Sequence, residues 1–145
     1  MIDRSARTVL EFVLDLDRYR QADEKIARVS EQPLLGPDDR EGRARYRGRL
    51  RGLPTPFQWQ TVQLDPWRSL HLRTEAGQWT TAFAIFEGGF VCEELAVRGT
   101  RLTYFEQFAF RPPASWILDS FLGNWMQRYL REVELPRLKA LIEQQ

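Results

Sequence analysis

Tyr104 and Glu106 stand two residues apart in the stretch RLTYFEQFAF, where polar and apolar residues alternate. Residues two apart on a strand share a face, so both point the same way as Leu102, Phe108 and Phe110. A carboxylate set among rings resists ionisation, which is what a general acid or base working near neutral pH requires. With the Tyr104 hydroxyl beside it, the pair suits proton transfer on an otherwise apolar molecule. The structural alternative is that Glu106 pairs with an arginine such as Arg73 or Arg128, or sits at a wet rim.

Other reactive side chains are scarce. His71 is the only histidine and Cys92 the only cysteine, which leaves no internal disulfide, thiolate cluster or histidine-rich metal site. A Ser-His-Asp arrangement would have a single possible base. His71 alternates with Leu70 and Leu72, so inward leucines turn the imidazole outward. Glu93 and Glu94 are adjacent and point to opposite faces, so they cannot form a paired-carboxylate site. No glycine-rich phosphate loop or nucleophile elbow is present. No metal and no cofactor are expected.

A second pattern has charge in place of chemistry. In EGRARYRGRLRG, Arg43, Arg45, Arg47, Arg49 and Arg51 take every second position. On a strand they share one face, opposite Gly42, Ala44, Tyr46, Gly48 and Leu50. Yet 21 basic residues face 20 acidic ones, a net charge of +1, well short of the surplus typical of phosphate binders. No basic recognition helix or RNP-type motif accompanies the row, so nucleic acid is not expected. The arginines read as the wet face of a half-buried strand; as an interaction module, the same face would suit an acidic partner or an anionic membrane. A wet arginine face puts Tyr46 and Gly48 inside.

The elements that position these residues follow from periodicity. Ser5 caps a helix whose Val9, Leu10, Phe12 and Val13 recur at helical spacing. LDRYRQADEK, anchored by Leu16 and Tyr19, reads as a short second helix or turn, and PLLGPDD as a loop. From Arg40 the period becomes two, with strands expected at Arg40–Gly52, Phe57–Leu64, Arg68–Thr74, Phe90–Val97 and Thr100–Arg111. Their short breaks favour antiparallel neighbours. Gln78–Gly89 fits either a further strand or a short helical lid. After RPP a long helix begins, capped by Ser115, with Leu118, Leu122, Trp125, Tyr129 and Val133 in one row and a kink near Glu132 caused by Pro136. A chain of 145 residues, 43 % hydrophobic and with no repeats or linkers, reads as a single domain spanning 1–145. It has no membrane-spanning run and no signal pattern, so a cytoplasmic location is expected.

The order of these segments resembles the SRPBCC superfamily (START / Bet v 1-like, with polyketide cyclase/dehydrase relatives). SARTVLEFVLDLDRYRQAD is similar to its opening helix, LDPWRSLHLR to a strand pair built around a proline, and RGTRLTYFEQFAF and WMQRYLREVELPRLKALIE to its last strand and final helix. The resemblance implies an α+β helix-grip fold: a curved antiparallel sheet wrapped around a long C-terminal helix, with two short N-terminal helices closing a hydrophobic cavity. Only MIDR precedes Ser5, where the family has a full first strand. Either that strand is truncated, leaving an edge open to homodimer pairing, or the start is assigned too late.

That cavity would be lined by Tyr46, Trp59 and Leu72 from the strands, and by Trp79 and Phe83 from the ambiguous segment. Tyr104, Glu106 and Phe108 would add the last strand, and Phe121, Trp125 and Tyr129 the helix. The expected function is binding or carriage of a small hydrophobic molecule, polyketide-, lipid- or isoprenoid-like. The alternative is a cyclase/aromatase-type enzyme using Glu106 or Tyr104, and the third reading is the interaction module on Arg43–Arg51.

Overall fold

The computed structural model describes residues 1–145. Helix α1 (Ala6–Leu14) starts where the Ser5 hydroxyl accepts the Thr8 amide, satisfying one of the free N–H groups of the first turn. It buries Ala6, Val9, Leu10, Phe12 and Val13. One turn further, the Asp15 carboxylate accepts from the amides of Asp17 and Arg18 and starts α2 (Leu16–Tyr19).

Strands β1 (Ile26–Glu31), β2 (Glu41–Leu50), β3 (Leu53–Pro54), β4 (Gln58–Asp65), β5 (Ser69–Thr74), β6 (Ala84–Glu94) and β7 (Thr100–Phe110) follow. All pairings are antiparallel, in the order β1-β2-β4-β5-β6-β7 with β3 attached to β2. Ile2 adds one isolated bridge to Thr100. The C-terminal helix consists of α3 (Ser115–Tyr129), a π-turn (Leu130–Glu134) and α4 (Leu135–Glu143). This is the helix-grip fold. No helix is long and apolar enough to cross a membrane.

The observed elements differ from the sequence reading in several places, and the expected strand Phe90–Val97 ends at Glu94. IARVSE forms β1, which periodicity missed because two register shifts interrupt its alternation against β2. Gln78–Gly89 divides: Trp79–Ala82 makes one 3-10 turn, and β6 begins at Ala84. Arg51 is not on the strand with the other arginines; it sits in the turn at φ 49°. Ser115 is the first residue of α3 and gives no side-chain cap. The discontinuity expected from Pro136 takes the form of the π-turn just before it, which absorbs a residue lacking an amide hydrogen.

The solid core lies between α1, α2, α4 and the sheet. Leu10, Val62, Leu70, Leu138 and Ile142 are all at most 2 % exposed there, and burying such a side chain contributes roughly 1.5–3 kcal/mol. Under α3 the same interior is hollow.

Candidate functional site

The hollow is a cavity of about 390 Å³ between the sheet's inner face and α3, within the size range of small-molecule sites. Leu53, Pro54, Pro56 and Phe83 line it and also reach solvent, so they frame its mouth. Its walls are mainly apolar, including Leu72, Phe86, Phe90 and Phe108 from the sheet and Leu118 and Leu122 from α3. Strand parity produces that lining. On β4 the inward side chains are Gln58, Gln60, Val62 and Leu64, and on β7 they include Tyr104, Glu106 and Phe108.

At the deep end lies a cluster of charge. Lys25 and Asp23, in the turn before β1, are 5 % and 3 % exposed. The Lys25 Nζ lies 3.0 Å from Asp23 Oδ1 and 3.3 Å from Glu106 Oε2, and it donates to Glu134 Oε2. The sheet is thus curved enough for a residue beside edge strand β1 to reach edge strand β7. Gly48 permits this approach: a Cβ there would lie 2.8 Å from the Lys25 carbonyl oxygen, closer than real side chains come.

Glu134 enters through the π-turn. Inward residues of the C-terminal helix run Leu118, Leu122, then Tyr129. The next is Glu134, five positions on, followed by Leu138 and Ile142 at the ordinary spacing of four. Without the wider turn, Val133 would face inward instead. Tyr19 donates to Glu134 Oε1, and the Tyr104 hydroxyl donates to Glu106 Oε2 at 2.8 Å. Tyr104 stacks on Phe90, ring centroids 4.6 Å apart.

Three carboxylates therefore share one ammonium out of bulk water. Burial raises the Glu106 carboxyl above its ordinary value, against the pull of Lys25 and the Tyr104 hydrogen bond. Burial, helped by the charge of Asp23, pushes Glu134 up to about 7. Burial alone would lower Lys25, but its three carboxylate neighbours outweigh that and hold the ammonium charged. Burial likewise raises the phenols of Tyr19, Tyr46 and Tyr104, which stay protonated, so that Tyr19 and Tyr104 act as donors to the two carboxylates. The site can accordingly hold a proton on a carboxyl group beside a fixed cation, at the end of an apolar chamber. No group of histidine, cysteine and carboxylate side chains is arranged to hold a metal ion; these carboxylates converge on an ammonium.

Of the residues expected around the cavity, Tyr46, Leu72, Phe83, Tyr104, Glu106 and Phe108 line it. Trp59 does not. It pairs across the sheet with Arg45, and opposed residues share a face, so Trp59 lies outside with the arginines. The Arg43 guanidinium stacks 4.1 Å from its ring centroid. Trp79 is 70 % exposed beside Phe83. Phe121 turns out of α3 to stack under Arg51 at 4.4 Å. Trp125 packs on Tyr129 outside the cavity, and Tyr129 accepts the Glu24 amide while its ring backs Lys25.

Glu106 pairs with Lys25, in place of Arg73 or Arg128. His71 faces outward and meets Glu87 at 2.9 Å. Cys92 is buried, its thiol raised to about 11 by burial. Sequence reasoning missed Lys25, Asp23, Glu134 and Tyr19. One signal was available: Lys25 is one of only two lysines in a chain with nineteen arginines.

Similar architectures occur in solved structures. The Zhui aromatase/cyclase from a Streptomyces species aligns with TM-score 0.70 and 16% identity, covering 98% of this chain and 88% of that one. A START superfamily protein from Mycobacterium smegmatis gives 0.69 and 18% identity, over 99% and 92%. TTHA0849 from Thermus thermophilus gives 0.66 and 16%, over 99% and 90%. At these identities the likeness is one of fold. Among curated proteins none matches the sequence significantly. The family model described as "Polyketide cyclase / dehydrase and lipid transport" matches residues 1–143, and with the fold and the cavity on the same residues, the chain belongs to that family.

Proposed function

We propose that this protein encloses a small, mostly apolar molecule in the cavity under α3, with a polar group of that molecule set against Glu106. The observation that carries this reading is the Glu106 carboxylate. Its Oε2 is occupied by Tyr104 and Lys25, while its buried Oε1 has no partner. A buried polar atom without a partner is costly, and a ligand hydroxyl, or a carbonyl when Glu106 is protonated, would remove that cost. Binding or carriage is the function supported best.

The raised carboxyls of Glu106 and Glu134 favour one further reading, proton transfer on the bound molecule in the manner of a cyclase. Glu106 would take a proton from a carbon beside a ligand carbonyl. The electron pair would pass to the carbonyl oxygen as an enolate facing the Lys25 ammonium and Tyr104 hydroxyl. The chamber would hold the reacting carbons close together.

Anilinonaphthalene sulfonate, an amphiphilic anionic dye whose fluorescence rises in apolar surroundings, tests the binding site. Fluorescence should rise on mixing with the native protein, and Leu118→Trp, which narrows the chamber, should reduce the rise. Unchanged dye binding in that variant would refute the cavity as the site. Native mass spectrometry before and after denaturation then reads any co-purified molecule, and Glu106→Gln separates the two readings. Loss of turnover with affinity kept marks an enzyme.

A further inference from the structure

Three buried side-chain atoms in the molecule lack any hydrogen-bond partner: Gln60 Oε1, Thr80 Oγ1 and Glu106 Oε1. All three belong to residues that line the cavity. Gln60 and Thr80 are each 1 % exposed. The buried polar side chains of Asp23, Lys25, Thr74, Thr100 and Glu134 all have partners.

The three atoms come from two stretches of the cavity wall that are well apart along the sheet. Gln60 lies on β4 and Glu106 on β7, three strands away, on the order of 14 Å measured along the sheet at about 4.8 Å per strand. Pairing also puts them in different rows. Gln60 is in register with Thr74 on β5, whereas Glu106 is in register with Gly88 on β6 and through it with Leu72 on β5.

Thr80 belongs with Gln60 because its 3-10 turn is fastened to β4. The Gln78 side chain accepts from the Trp59 amide at 2.8 Å and donates to the Trp59 carbonyl at 2.9 Å. Gln58 donates to the Ala84 carbonyl on the far side of the turn. These bonds hold Thr80 over the β4 wall that carries Gln60. The wall in the row of Gln60 is aromatic, with Phe86 and Phe108 centroids 4.8 Å apart.

We propose that Gln60 and Thr80 form a second polar subsite, so that the cavity takes a rigid apolar body carrying a hydrogen-bonding oxygen at each of two separated positions, not a hydrocarbon chain with one polar head. This rests on the cavity being the binding site, and it makes Gln60 and Thr80 specificity-determining residues. An amide offers both donor and acceptor, and a threonine hydroxyl either, so the subsite accepts a hydroxyl or a carbonyl. A single-headed chain would satisfy Glu106 and leave the Gln60 stretch bare.

The test uses two probes, biphenyl with one para hydroxyl and biphenyl with a para hydroxyl on each ring, titrated calorimetrically into the native protein. The diol should bind about tenfold tighter, as one additional neutral hydrogen bond allows. In Gln60→Leu/Thr80→Val the diol's advantage over the single-hydroxyl probe, compared within the variant, should fall to about twofold, the statistical value for two equivalent hydroxyls. Equal binding of the two probes to the native protein, or an advantage that survives the double substitution, overturns the subsite alone. Failure of both probes to bind overturns the cavity reading and this inference with it. Thr80→Val by itself, nearly isosteric, repeats the comparison should the double variant not fold. Thermal denaturation supplies a readout independent of ligand. Removing unpartnered polar atoms should leave Tm unchanged or raise it, and a drop of several degrees in Thr80→Val would show a structural role instead.

Discussion

The two halves of the C-terminal helix face the same sheet and do opposite things with it. α4 buries Leu138 and Ile142 completely against α1 and the sheet, whereas α3 holds Leu118 and Leu122 over open space and leaves Trp116 and Ile117 about three-quarters exposed. One half is fixed by packing, and the other spans a chamber. The charged cluster of Lys25, Asp23, Glu106 and Glu134 lies at the border between them. Stability and function are therefore separable along a single helix: the packed end supplies the rigidity that lets the hollow end stay hollow.

Lys25→Met should break this arrangement most severely. It leaves three buried carboxylates without their cation, a change that typically costs about 3–5 kcal/mol, and urea denaturation at neutral pH reads it. A loss below about 1 kcal/mol would mean that the cluster is solvated and not a border.

Leu138→Ala against Leu118→Ala compares the halves directly. The first opens a void in close-packed surroundings and should cost about 3 kcal/mol, whereas the second widens an existing chamber and should cost less than about 1 kcal/mol. Similar losses at both sites would refute the division.

A smaller effect sharpens the border itself. The folded value of Glu134, about 7, lies above the ordinary 4.5, so the folded protein holds that proton more tightly than the unfolded chain does. The stability this contributes is full below the unfolded value and is lost as pH rises through about 7. Between pH 5 and pH 7.5 unfolding should become easier by on the order of 2 kcal/mol, and Glu134→Gln should flatten the profile. Lys25, raised above its ordinary value, stays charged throughout that range and contributes no slope. The smallest effect is expected on the outer face. Arg45→Ser and Arg47→Ser remove guanidinium stacking on Phe57 at 4.9 and 5.5 Å and should cost at most about 0.5–1 kcal/mol each.

The fold was largely legible because half-buried strands write their alternation into the sequence, and five of the seven were readable that way. β1 was not, since its bulges spoil the period over six residues. On the site, parity assigned Tyr46 and Glu106 correctly to the inner face, but a tryptophan's own strand does not say which parity is inward. Trp59 needed its register against Arg45. The cluster was illegible for a different reason. Asp23, Lys25 and Glu134 look like solvated charge in their local sequence, and their burial depends on partners up to 115 positions apart. Nothing local records that distance.

The π-turn has a consequence for how this helix tolerates change. Each residue of an α-helix advances the chain by about 100°, so the extra residue between Leu130 and Glu134 sets α4 out of phase with α3. The helix behaves like a screw cut with two threads joined at a step. A substitution on either thread acts locally, but inserting one more residue between Tyr129 and Val133 would rotate all of α4 relative to α3. Leu138 and Ile142 would leave the core together, and the carboxylate beside Lys25 would be replaced by Val133.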